Sequence, residues 1–103
     1  MLNYIKFKLQ GRSSLWRSVR ANYLDFNCAC AACNSRYKLE VHHVLPFKDN
    51  PENELETSNL ITLCKHCHLV LGHLKDYKIA NNFVRDDVKS FSERRKLAYL
   101  LRK

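Results

Sequence analysis

No stretch of about 18 consecutive apolar residues occurs in this chain, which removes a membrane-spanning helix from consideration. The first residues also lack the charged, apolar and small-residue succession of a secretory signal, so a cytoplasmic location, in a bacterial host or a phage-infected cell, is expected. Glycine and proline occur only twice each, and there is neither a repeat nor a low-complexity tract. A chain of 103 residues is expected to form one domain. A domain that small buries a modest fraction of its surface, so an internal metal staple is physically expected.

Acidic residues are scarce too: 10 Asp and Glu stand against 18 Lys and Arg, a formal charge of +8. The excess is uneven. Residues 1–27 carry five Lys/Arg against one Asp, residues 28–84 carry six against six, and residues 85–103 carry seven against three. A neutral centre with two basic flanks suits a polyanion, although solvated basic faces on an ordinary soluble protein would look similar.

Along the chain, residues 5–10 alternate apolar and polar at period 2, the pattern of a short half-buried strand that stops at Gly11. From Ser13 or Ser14, an amphipathic helix is expected over 15–26. Leu15, Val19, Tyr23 and Phe26, with Trp16 beside them, would pack on the cysteine-containing module. Lys38 to Val44 reads as a first strand ending before Pro46, and the polar, acidic run 48–58 as an exposed connection. Leu60 to Leu63 reads as a second strand, and Lys65 to about Tyr77 as a helix weakened at Gly72 by about 1 kcal/mol relative to alanine. A last helix is expected from Ser90, which has capping-box spacing to Glu93, to Leu101, with Leu97, Leu100 and Leu101 buried.

Cysteine, by contrast, is plentiful: Cys30/Cys33 and Cys64/Cys67 form two Cys-x-x-Cys pairs, and Cys28 is left over. In a reducing compartment such pairs are more often metal ligands or redox sites than structural disulfides. Two such turns converge four sulfurs on one point, as tetrahedral Zn²⁺ requires, and tie the start of the first strand to the start of the following helix. A closed shell of four thiolates leaves no position for water, so this zinc is expected to be scaffold rather than catalyst. It would lower the net charge from +8 to +6, still positive. A redox role predicts a thioredoxin-like βαβ setting, which the pattern lacks.

The segments C-A-A-C (30–33), L-E-V-H-H-V-L-P-F (39–47) and N-L-I-T-L-C-K-H-C-H (59–68) together resemble the HNH endonuclease family, in its version with a structural zinc site around the ββα-metal motif. The resemblance covers roughly residues 14–75. It implies an α+β fold: a small ββα-metal motif (about 28–75) stapled by four cysteines, with basic helical flanks at 14–27 and 90–103. It also implies metal-dependent hydrolysis of DNA phosphodiester bonds. His43 would be the general base, His42 and His68 the ligands of one divalent cation, and Asn59 the residue that orients the site by bonding loop backbone. Two protein ligands suit Mg²⁺ or Mn²⁺, and imidazoles also admit Ni²⁺ or Zn²⁺. Many relatives carry an acidic residue where His42 stands, so softer metals are favoured here.

Adjacent strand residues point to opposite faces, so His42 and His43 share one site only if the strand bends or ends there. On a regular helix His73 falls about 140° from His68, a poor angle for sharing a metal. Some relatives hold a further ligand one turn after the third motif histidine, but that position is Gly72 here, so His73 is kept as a candidate phosphate contact. His66 is expected to face solvent. Arg12, Arg17, Arg20, Arg94, Arg95 and Lys96 are candidates to hold the backbone of double-stranded DNA, giving weak sequence preference. The alternative is a non-catalytic zinc-knuckle module that binds nucleic acid. By family analogy a phage or mobile element, with a phage or mobile-element protein partner, is the expected setting, and the chain would act as a monomer or homodimer.

Overall fold

The computed structural model describes residues 13–102. The period-2 segment at 5–10 and Arg12 lie outside the described residues. Helix α1 (Trp16–Phe26) is followed by strand β1 (Leu39–His43), two 3₁₀ turns (Pro51–Asn53 and Thr57–Asn59) and strand β2 (Leu60–Cys64). A short helix, α2 (Lys65–Cys67), runs directly into a π-helical turn (His68–Gly72), and helix α3 (Val84–Leu101) closes the order. The result is a two-stranded antiparallel sheet with helices beside it, in register Leu39↔Cys64 to His43↔Leu60.

The core is small and rich in sulfur. Cys30, Ala32, Ile61, Leu63, Cys64, Cys67, Val84 and Val88 form one buried cluster, with Cys33, Leu39, Val44 and Leu71 packed against it. Strand β2 is buried at every position, because the first cysteine turn docks on its outer edge: the Ala31 N–H donates to the Thr62 carbonyl at 2.9 Å.

Helix α1 occupies the expected span, but its packing differs. Leu15 and Phe26 are exposed, and the half-buried residues Trp16, Val19 and Tyr23 carry the contact. The Tyr23 hydroxyl donates to the Leu60 carbonyl at 2.9 Å, and the Trp16 ring packs 4.5 Å from that of His43. The helix therefore braces the His43 end of the sheet.

The 48–58 connection is not simply exposed. Pro51 and Glu54 are buried, Glu54 to 1% exposure, and Glu54 accepts the Ser13 N–H at 2.9 Å. This loop carries side chains inward because Asn59 draws its backbone onto the sheet.

The last helix begins at Val84, six residues before the Ser90 capping pattern, which falls inside it. Asn81 sets the start. Its Oδ1 accepts the Phe83 N–H at 3.0 Å, while its Nδ2 donates to the Leu71 carbonyl and to Asp87. Asp86 and Asp87 in the first turn complement the positive end of the helix dipole. Val84 and Val88 are the buried anchors. Leu97, Leu100 and Leu101, expected inside, are 57%, 66% and 78% exposed, because the second half of α3 runs past the small core. No helix of the described residues is long and apolar enough to cross a membrane.

Candidate functional site

Among the described residues, two separate clusters have side chains placed to hold a metal ion. In the first, the sulfurs of Cys30, Cys33, Cys64 and Cys67 all lie within 4.8 Å of one another. A tetrahedron with zinc–sulfur bonds of about 2.3 Å has edges of about 3.8 Å, and Cys33 Sγ and Cys64 Sγ are 3.7 Å apart. The turns are closed by N–H donors to sulfur, Cys33 N to Cys30 Sγ at 3.5 Å and Cys67 N to Cys64 Sγ at 3.4 Å. Burial alone would raise the Cys30 thiol, but the backbone donors at Cys33, Cys64 and Ala32 outweigh it and bring the thiol down to about 7. Burial, reinforced by the neighbouring sulfurs, pushes Cys67 and Cys33 up. Four crowded thiols cannot all ionise without a cation among them, so this donor set fits zinc. Cys28 is exposed.

The second cluster is built from His42 on β1 and from His68 and His73 at the two ends of the π-helical turn. His42 Nδ1 lies 3.0 Å from His68 Nε2, and His73 Nε2 lies 3.2 Å from the same atom. Tautomers follow from the outer partners. The Ile79 carbonyl can only accept, so His73 donates from Nδ1 at 2.8 Å and keeps a lone pair on Nε2. Glu40 Oε1 stands 2.8 Å from His68 Nδ1, so a carboxylate there accepts the Nδ1–H hydrogen bond and leaves the lone pair on Nε2. Burial, helped by the nearby His68, His73 and His43 rings, pushes His42 down to about 3, so this imidazole is neutral at ordinary pH. His42 Nε2 is buried with no hydrogen-bond partner among the described residues. Imidazole nitrogens converging at about 3 Å, with lone pairs turned inward, are the donor set of a metal site.

The expected helix over 65–77 is thus corrected, and with it the place of His73. The α-helical wheel sets His73 about 140° from His68, but the chain winds as a π turn, whose i→i+5 repeat brings the two rings together. Gly72 permits this. A Cβ on it would meet His68 Cδ2 at 3.1 Å and His42 Cε1 and Nδ1 at 3.2 Å. The helix then ends, with Leu74 and Lys75 both in the left-handed region, at φ 52° and 71°.

His43, the last residue of β1, is buried, and its Nε2 lies 2.9 Å from the Glu54 carbonyl. Because that oxygen only accepts, Nε2 carries the proton and Nδ1 is the basic nitrogen of the neutral ring. His42, His43, His68 and His73 line one cavity of about 340 Å³ with Val41, Pro46, Phe47, Lys48 and Ala80. The two adjacent histidines reach it because the strand ends at them. Asn59 holds that ending: its Oδ1 accepts the Leu45 N–H at 2.7 Å, and its Nδ2 donates to the carbonyls of Leu45 and Asn53.

The basic candidates lie apart from this cavity's lining. Arg17 is exposed and Arg20 half-buried on α1; Arg94 and Lys96 are exposed on α3, and Arg95 Nε donates to the Ala32 carbonyl at 3.3 Å. His66 is exposed in the second cysteine turn. Sequence reasoning passed over Arg85, whose Nη2 donates to the Ser58 and Leu60 carbonyls, as well as Glu40, and it read Gly72 as a weak point of a helix rather than as the space the rings occupy. Glu40 had a signal: two residues before His42 on a strand, it shares that residue's face.

A two-stranded sheet and helix around a four-cysteine cluster, with a histidine cluster at the strand end, is consistent with a small ββα fold of the HNH type. Residues 28–73 match the family model described as HNH endonuclease. A protein of Schizosaccharomyces pombe described as "Uncharacterized 91 kDa protein in cob intron" is 36% identical over an alignment covering 53% of this chain and 8% of that protein. The chain thus spans less than a tenth of the length of that relative. No solved structure matches.

Proposed function

We propose that the chain is a metal-dependent endonuclease that hydrolyses DNA phosphodiester bonds, with His43 as general base and a divalent cation held by His42, His68 and His73. The observation that carries this reading is the convergence of three imidazoles beside a fourth histidine whose Nε2 proton is fixed by a backbone carbonyl. The family match at residues 28–73 supports it.

His42, His68 and His73 would hold the cation, which when bound would supply Lewis acidity to the phosphodiester. His43 Nδ1 takes a proton from a water molecule as that water's oxygen bonds to phosphorus. The P–O bond to the leaving oxygen breaks, and that oxygen takes a proton from solvent. The Glu54 carbonyl stabilises the His43 imidazolium through its Nε2 hydrogen bond, while Trp16 packed against the ring fixes its plane. Asn59 acts on position alone, holding the Leu45 backbone directly after the two histidines. Glu40 orients His68. Three imidazoles, with the carboxylate behind one of them rather than at the cation, favour Mn²⁺, Ni²⁺ or Zn²⁺ over Mg²⁺.

His73 is therefore assigned to the cation rather than to phosphate. Arg17, Arg20, Arg94, Arg95 and Lys96 would hold the DNA backbone without reading sequence, and Zn²⁺ on the four cysteines would be structural. One such site cuts one strand, so a double-strand break would take two protomers or two visits. The relative's description places that protein in an intron, which supports a mobile-element setting for this chain as well. The test is cleavage of an end-labelled duplex by the zinc-loaded protein with each cation. His68→Ala and His73→Ala should each abolish cleavage and weaken Mn²⁺ binding, and full activity in both variants would refute the assignment.

A further inference from the structure

Beside the histidine cluster lies a second groove, of about 450 Å³, bounded by Tyr37, Lys38, Lys65, His66, Leu69 and Tyr77 among others. Tyr77 joins the two sites: its ring is 5.0 Å from that of His73 and 6.2 Å from that of His68. Both tyrosines present their rings to solvent, Tyr37 at 72% and Tyr77 at 57% exposure. Among the described residues no carboxylate side chain lines the groove, whereas two lysines and a histidine do. The Lys38 ammonium sits 5.3 Å from the centroid of the Tyr37 ring.

Exposed aromatic rings interleaved with cations form the surface that takes unpaired nucleic-acid bases. Each base stacks a π face on a ring, while lysines follow the phosphates. In an intact duplex those faces are covered by neighbouring base pairs, so stacking is open only to a base that is single-stranded, flipped or at an end. The charged side chains of the lining are both lysines, which favours a polyanion over an uncharged peptide as the occupant. Because Tyr77 touches the rings of the candidate metal ligands, a nucleotide stacked on it would adjoin the phosphate being cut.

We propose that the Tyr37–Tyr77 groove binds unpaired bases of a DNA strand next to the scissile phosphate, which makes single-stranded or locally opened DNA the preferred substrate. This rests on the histidine cluster being the catalytic centre only for where cleavage falls; binding in the groove is separable from it.

The test uses the zinc-loaded full chain carrying His43→Ala, with 2-aminopurine placed in a short single strand and, separately, in the matched duplex. Saturable quenching is expected with the single strand and little with the duplex. Tyr77→Ala should weaken single-strand binding about tenfold and remove most of the quenching, whereas Tyr77→Phe should keep both. Tyr37→Ala, which removes the groove's other exposed ring, should also weaken binding several-fold, and unchanged zinc content checks the fold of each variant. Equal binding and quenching with strand and duplex, or wild-type binding in both alanine variants, would overturn the proposal. If Tyr-dependent quenching appears while the wild-type chain cuts nothing, the groove stands and the nuclease reading fails. Cleavage without Tyr-dependent quenching has the opposite meaning.

Discussion

His68 and His73 stand with their Nε2 atoms 3.2 Å apart although they are five residues apart in sequence, because the turn between them is π-helical and ends on a glycine. A Cβ at position 72 would press on the rings of His42 and His68 together. Gly72→Ala should therefore spread the cluster and weaken Mn²⁺ or Ni²⁺ binding about tenfold, while alanine's advantage of up to about 1 kcal/mol in a helix keeps the thermal stability of the zinc-loaded protein level or raises it. Calorimetric titration of both proteins separates the effects, and unchanged affinity would show that the rings adjust freely.

Glu40 should matter although it stands behind the cluster. Its carboxylate, 2.8 Å from His68 Nδ1, keeps the lone pair on Nε2. Glu40→Gln should lower cation affinity about 10- to 100-fold, with zinc content unchanged. Titration with Ni²⁺ read by its visible absorption checks this, and a variant with wild-type affinity would remove Glu40 from the site.

Zinc removal should unfold the domain. Structural zinc contributes on the order of 10 kcal/mol or more in small zinc domains, as much as the whole stability of a typical domain, and here three of the eight buried core residues are the cysteines Cys30, Cys64 and Cys67, with Cys33 packed against them. A strong chelator or Cys64→Ala should abolish the cooperative thermal transition. A sharp transition in metal-free protein would contradict the scaffold role.

His42 gives a pH signature. Its unfolded ring takes a proton below about 6.5, whereas the folded ring, pushed down to about 3, does not. Between those values the unfolded state holds the extra proton, so stability falls as pH falls, with a slope of up to about 1.4 kcal/mol per pH unit. Urea melts of zinc-loaded protein between pH 7 and 5.5, without added second metal, should lose stability faster in wild type than in His42→Gln. Parallel slopes would refute the buried neutral imidazole.

What could be read in the sequence was the chemistry that depends on spacing. Two Cys-x-x-Cys turns, adjacent histidines before a proline and a short apolar strand before the second cysteine pair are local patterns, and the sheet and the four-cysteine cluster follow them. What escaped was set by winding and by core size. Nothing local distinguishes an α turn from a π turn over His68–Gly72, so His73 was turned away from the cluster it joins. Leu97, Leu100 and Leu101 read as a buried stripe, yet a core this small gives out after Val88. Glu54 sits in an acidic run but is buried, because the Ser13 N–H and the fold of the loop bring it inward.

Incubating supercoiled plasmid with zinc-loaded protein and Mg²⁺, Mn²⁺, Ni²⁺ or a chelator, beside His43→Ala, decides whether the histidine cluster is a nuclease centre. Metal-dependent nicking that disappears in the variant while DNA binding persists is the expected result. A folded, DNA-binding protein that leaves the plasmid intact with every metal would contradict it.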